Sequence, residues 1–321
     1  MQELTARFVT VADEVGRLQR GKDAESAMFR SFCEEGHYGG RSRPTGTRQG
    51  IYAVAPSGRF LASINTTQPQ RMVKMLETAL ARWAELAPTE RALPPDMRER
   101  LLGAERFEDR YPDDGLVLAE YCRDLEPAGA EIPQWQAGAW NEDQAWFTAA
   151  EASRFVPEEL AVGASRDVPA RLASRLARLH LLDVVRGQTA AFRKNHVERA
   201  ELRSVITGVT DGRVELRLTG HTATRHRGRW RVRDGRSYTE PVEHERGVRT
   251  ELRGRATWDP AERRFTAFEL VALGERWGAT QYNGRPNDLE PTPIGFAFVL
   301  APPDHPRVAP AFYWHYTLRS E

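Results

Sequence analysis

Cys33-Glu34-Glu35-Gly36-His37-Tyr38 is the densest set of reactive side chains in the first third of the chain. Cys33 and His37 are four residues apart, which places them on one face if a helix carries both. A thiol–imidazole pair or two metal ligands could form there. The structural alternative makes Cys33 a small buried residue late in a helix, where the macrodipole raises its pKa. His37 and Tyr38 then open a loop after a Gly36 cap. No third ligand or orienting group accompanies the pair, so the structural alternative is favoured and no metal site is assigned.

Two later segments combine aromatic and amide side chains: Trp140-Asn141-Glu142-Asp143-Gln144-Ala145-Trp146 and Trp277 to Arg285. Trp140 and Trp277 supply apolar area, while Asn141, Gln144, Gln281 and Asn283 supply orienting hydrogen bonds. Arg285 could grip an anionic group with its two-pronged fork. These seven residues are the expected ligand-binding set, and they are expected to approach one another. If the unit is instead an enzyme, Glu142, Asp143 or Glu269 acting with Arg285 would do acid–base work. The bland alternative is a pair of surface loops whose tryptophans pack on a sheet. Trp135, Trp140, Trp146, Trp230 and Trp277 all fall in or beside expected loops of this region.

The remaining polar signals are weaker. His180, His196, His221, His226, His244, His305 and His315 show no HExxH or HxH spacing and are expected to be mostly solvated loop residues. His221 to Arg236 is arginine-rich with Trp230 beside it, but Glu240, Glu243 and Glu245 follow at once. An exposed loop is favoured there over a phosphate-gripping surface. No glycine-rich phosphate loop, nucleophile elbow or Ser-His-Asp order occurs.

Composition sets the frame. The 321 residues allow two ordinary domains. Hydrophobic residues make up 40% and charged residues 28%, as in a globular protein. Forty-six basic against forty-five acidic side chains give a net charge of +1, so no bulk field recruits nucleic acid or an anionic membrane. No apolar run approaches the roughly 18 residues of a membrane span, and the first residues lack the apolar stretch of a signal peptide. Two isolated cysteines, Cys33 and Cys122, do not make a secreted disulfide framework, and a reducing cytoplasm is the expected compartment.

The elements that must position these residues fall into two expected domains, 1–86 and 113–321, joined by a proline-bearing linker over 87–112. Phe8, Val9 and Val11 suggest a strand and Ala24 to Glu35 a helix. Gln49 to Leu86 is expected to form a strand, the turn Pro56-Ser57-Gly58, a second strand and an amphipathic helix bearing Val73, Leu76, Leu80 and Trp83. In the second domain Thr148 and Glu151 form a capping box for a short helix. A longer helix is expected from an Asp167 cap, with Leu172, Leu176, Leu179 and Leu182 on one face. The period then changes to two. Hairpins turn at Thr210-Asp211-Gly212 and Asp259-Pro260-Ala261-Glu262, and strands are expected at Ile294–Leu300 and Ala311–Leu318.

The strand–turn–strand–helix order of Gln49 to Leu86, with its Ala55-Pro56-Ser57-Gly58 hairpin, resembles the C-terminal half of a thioredoxin-like domain. The resemblance implies that fold for the N-terminal part and a redox thiol at a helix start. The sequence departs from the family at both functional points: no Cys-x-x-Cys lies upstream, and Thr47-Arg48-Gln49-Gly50 stands where a cis-proline is expected. A front strand at Ala6–Val9, almost at the first residue, would leave such a domain short at its N-terminal side.

The expected architecture is therefore α+β: a degenerate thioredoxin-like domain followed by helices and a mainly antiparallel sheet or barrel. The expected function is non-redox binding or scaffolding, with a small-molecule or protein partner held by the C-terminal domain and no cofactor. The alternative is an enzyme, using either carboxylates of the C-terminal domain or the Cys33 thiol.

Overall fold

A computed structural model describes residues 2–13, 15–39, 48–66, 68–102, 106–125, 138–235 and 237–316. Thr47 and Trp135 lie outside the described residues. The protein is 27% helical and 37% strand and divides into two compact units, Met1–Arg106 and Phe107–Glu321. No described helix is long and apolar enough to cross a membrane.

The first unit is built on a hairpin of β1 (Ile51–Val54) and β2 (Phe60–Ile64). Gly58 takes φ +83°, which the tight turn requires. Because strand side chains alternate between faces, the hairpin has two cores. Ala53 and Ala62, with Leu61 at the β-bulge beside them, pack with Met75, Leu76 and Ala79 of the helix Pro69–Glu85. Tyr52, Val54 and Phe60 pack with Leu18, Phe29, Phe32 and Cys33, three of which belong to the helix Ala24–Glu35. Asp23 caps that helix, accepting from the Ser26 N–H at 2.8 Å. The strand expected at Phe8, Val9 and Val11 does not form. A short helix, Gln2–Thr5, precedes them, and Val9 and Val11 are exposed, since among the described residues no strand lies alongside to pair with.

The second unit is one eight-stranded antiparallel sheet. Its strands are β3 (Leu116–Asp124), β4 (Trp140–Phe147), β5 (Ser165–Asp167), β6 (Val197–Thr210), β7 (Arg213–Trp230), β10 (Val242–Asp259), β11 (Arg264–Trp277) and β12 (Thr292–Leu300). The order across the sheet is β4-β3-β12-β11-β10-β7-β6-β5. A separate two-stranded ribbon pairs β8 (Arg233–Asp234) with β9 (Ser237–Tyr238). Both expected hairpins are present and longer than expected. Asp211 and Gly212 turn the first with positive φ (48° and 76°), and Arg263 (φ 51°) closes the second.

Along most of their length the long strands alternate buried and exposed residues, β7 most regularly. Val214, Leu216, Leu218, Leu252, Phe268 and Leu270 enter one apolar core with Phe147, Phe155 and Leu172 from the segments that cover the inner face. The outer face is charged, with exposed pairs such as Arg249–Glu275 and Arg255–Glu269. Three expected elements differ. Trp140–Phe147 is strand rather than loop, because every residue from 140 to 147 has a register partner in β3. His221 to Trp230 likewise belongs to β7, with Arg225 paired to Glu198 and Arg227 to Glu245. The expected strand from Ala311 is instead a 3₁₀ turn, Tyr313–His315, whose rings pack on Trp146 and Phe107.

The leucine-bearing helix is also altered. Asp167 ends β5, Pro169 caps the helix, and Ala170–Arg175 is α-helical before a π-helical turn, Leu176–His180. The wider turn carries His180 into the inner face of the sheet, where it is fully buried.

Candidate functional site

Glu120, Asp143 and His180 converge where β3 and β4 meet the π-helical turn. Each owes its place to local structure. Glu120 sits on the inward-facing row of β3 with Leu118 and Cys122. Asp143 is its direct register partner on β4, so both carboxylates point to the same side of the sheet. His180 reaches down from the covering helix: its Nδ1 lies 2.6 Å from Glu120 Oε2 and 3.8 Å from Asp143 Oδ2. Donor atoms of all three lie within 4.8 Å of one another.

The surroundings fix the arrangement. His180 Nε2 is hydrogen-bonded to the Tyr316 hydroxyl, whose oxygen also accepts from the Trp146 N–H at 3.4 Å. Asp143 Oδ1 accepts from the backbone N–H of Gln144 (2.8 Å) and of Ala311 (2.9 Å). The segment after β12 thus straps the free edge of β4. Gln144 adds to this, donating from Nε2 to the Pro306 carbonyl at 2.7 Å. Such cover satisfies an edge strand that would otherwise expose unpaired backbone groups.

Charge is not balanced inside the cluster. Burial pushes the Glu120 carboxyl well above its ordinary range. Burial, then the nearby Glu120, raises Asp143 to about 6. Burial lowers His180 to about 4, against the opposing pull of Asp143, so the imidazole is neutral at physiological pH. The neighbouring Arg175 stacks 4.8 Å from the Tyr316 ring, but its guanidinium is committed to Glu151 and the Trp146 carbonyl. Asp143 is the member that solvent reaches, with 18% of its side chain exposed.

The seven expected ligand residues are arranged differently. Trp140 opens β4, 60% exposed. Asn141 donates to the Val184 carbonyl (3.2 Å), and Asn283 donates to Asp183 Oδ2 (3.1 Å) while accepting from the Thr280 N–H. The two segments therefore meet on residues 183–184, and their amides tie down that stretch of chain. Gln144 is buried, bridging Pro306 and the Trp146 indole N–H. Trp277 donates its indole N–H to Glu245, and Gln281 bonds the Tyr282 hydroxyl.

Arg285 is wholly buried, and its fork holds Asp124 and Asp183 together with Asp288. Arg186 and Arg276 join the same carboxylates. The anion that Arg285 was expected to grip is thus supplied by the chain itself. Of the expected acids, Glu269 pairs with Arg255 on the outer face, and Asp143 alone belongs to the buried cluster.

In the first unit Cys33 is completely buried among Leu18, Phe29 and Phe32, and burial pushes its thiol pKa up. The His37 ring turns to Ser63 Oγ (2.8 Å) and stacks on Tyr52. Cys122 is buried as well, and both cysteines are free thiols.

Sequence reasoning missed Glu120, His180 and Tyr316. The usable signal was a charged residue inside the apolar strand text Leu116-Val117-Leu118-Ala119-Glu120-Tyr121-Cys122, and a histidine next to the leucine face of a helix. Comparison with protein-family models, with characterised proteins and with solved structures gives no match for this chain.

Proposed function

We propose that this chain is a non-redox binding protein whose ligand site is the Glu120–Asp143–His180 cluster of the second unit, with the first unit a degenerate thioredoxin-like scaffold. One observation carries the binding reading: two carboxyl groups face each other inside the sheet with a neutral imidazole and, among the described residues, no cation committed to them. Burial keeps Glu120 protonated, so Asp143 carries the charge near neutral pH, and a buried carboxylate without a counter-charge is costly. A ligand that supplies the missing charge or hydrogen bonds would offset that cost. The hairpin-plus-helix of the first unit supports the scaffold reading, and the sealed Cys33, with its raised pKa, supports the absence of thiol chemistry.

A second reading has its own support. Asp143 combines partial exposure with a pKa near 6 and stands beside a linked imidazole and phenol, the equipment of a proton-transferring enzyme.

The test is the thermal unfolding of a ligand-free Glu120→Gln variant, which removes the ionisable carboxyl and keeps the shape. A midpoint equal to or above that of the parent chain supports a cluster kept for binding. A fall of about 10 °C or more would mean that the cluster holds the fold together.

A further inference from the structure

We infer that the ligand of this cluster is a divalent first-row transition metal ion, held by Glu120, Asp143 and His180 Nδ1. This rests on the binding reading above and names its ligand.

The donor set is that of a metal site: one imidazole nitrogen and two carboxylates, on three different elements, converging within 4.8 Å. Imidazole selects transition metals over Ca²⁺ or Mg²⁺, and the carboxylates suit Zn²⁺, Fe²⁺ and Mn²⁺. Bonds of about 2.0–2.2 Å place donors roughly 3–3.6 Å apart. The separations of 2.6 and 3.8 Å around Nδ1 bracket that range, so small side-chain shifts suffice.

The outer contacts fit as well. A ligating histidine ordinarily donates its second N–H to an oxygen, which fixes ring and tautomer. Here His180 Nε2 faces the Tyr316 hydroxyl, leaving Nδ1 to face the carboxylates. Asp143 is oriented by two backbone N–H groups on Oδ1, which leaves Oδ2 on the His180 side. Three protein donors leave further coordination positions, and the partly exposed Asp143 marks the side from which an ion enters.

Binding balances protons simply. A carboxyl oxygen 2.6 Å from an imidazole nitrogen requires one proton between them. A cation that takes both atoms as ligands releases that proton to solvent, so about one proton per ion leaves near neutral pH.

The experiment uses the full chain after dialysis against a chelator, titrated with Zn²⁺ and with Co²⁺. Expected results are one ion retained per chain, a rise of several degrees in unfolding temperature with Zn²⁺, and a Co²⁺ visible spectrum. Calorimetry in two buffers of different ionisation enthalpy should report about one proton released. Asp143→Asn keeps the Oδ1 acceptor and is the variant most certain to fold; in it the Zn²⁺-induced rise and the Co²⁺ spectrum should be lost. No retained ion in the parent chain, or an unchanged Zn²⁺ response in Asp143→Asn, overturns the inference. If no metal binds while Glu120→Gln is at least as stable as the parent, the cation fails and the binding reading stands. If no metal binds and Glu120→Gln unfolds far below the parent, both fail.

Discussion

Glu120 and Asp143 are register partners on adjacent antiparallel strands, so their carboxylates share one face of the sheet at a point sealed by His180 and Tyr316. A sheet core made of Leu216, Leu252, Phe268 and their neighbours has no need of two acids.

Tyr316 is the clasp of this site. Its hydroxyl bonds His180 Nε2 and accepts from the edge-strand N–H of Trp146. Tyr316→Phe removes both contacts and strands two buried nitrogens, so urea denaturation should show a loss of about 1–3 kcal/mol. A loss of only a few tenths would mean that water replaces the hydroxyl.

Arg285 is predicted to be a structural residue. Burial pushes the Asp124 carboxyl up, but Arg285 and Arg186 outweigh it and hold it below its ordinary value. Replacing Arg285 with Ala removes the fork between the buried Asp124 and Asp183, leaves them only Arg186 and Arg276, and should cost about 3–5 kcal/mol. Arg285→Lys should recover only part of this, because one ammonium cannot reproduce the fork. A neutral Arg285→Ala variant would show that the network is dispensable.

Cys33 is predicted to be chemically silent. Its buried thiol should react with iodoacetamide at pH 7 far more slowly than free cysteine, and the chain should not accelerate insulin reduction. Rapid labelling of Cys33, or turnover lost in Cys33→Ser, would restore the thiol-enzyme alternative.

Legibility in the sequence followed periodicity. Ala24–Glu35, the Gly58 hairpin and the two long hairpins of the sheet are local patterns with their own turn chemistry, and the structure contains them. Trp140–Phe147 was opaque because Asn141, Glu142 and Asp143 are poor strand formers, and only pairing with β3 makes them strand. The site was opaque for a related reason. Glu120, Asp143, His180 and Tyr316 span almost two hundred residues, and no spacing rule connects positions brought together by strand order and a π-helical turn. Arg285 misled because an arginine among amides looks like a ligand grip until its three aspartate partners, two of them far away in sequence, are in place.

The charge imbalance at Asp143 gives the most direct measurement. Its folded pKa is raised to about 6 from an ordinary value of 3.8. The folded state therefore binds more protons than the unfolded chain between those values, and stability falls as pH rises through that window. A shift of about two units corresponds to about 3 kcal/mol of penalty, fully developed above pH 6 and fading as pH drops toward 4. Asp143→Asn keeps the Oδ1 acceptor for the two backbone N–H groups and deletes the charge. In metal-free urea denaturation the variant should be about 2–3 kcal/mol more stable than the parent at pH 7.5, with the advantage below about 1 kcal/mol at pH 4. An Asp143→Asn variant that is less stable at pH 7.5, or equally displaced at both pH values, would contradict a site built around an uncompensated charge.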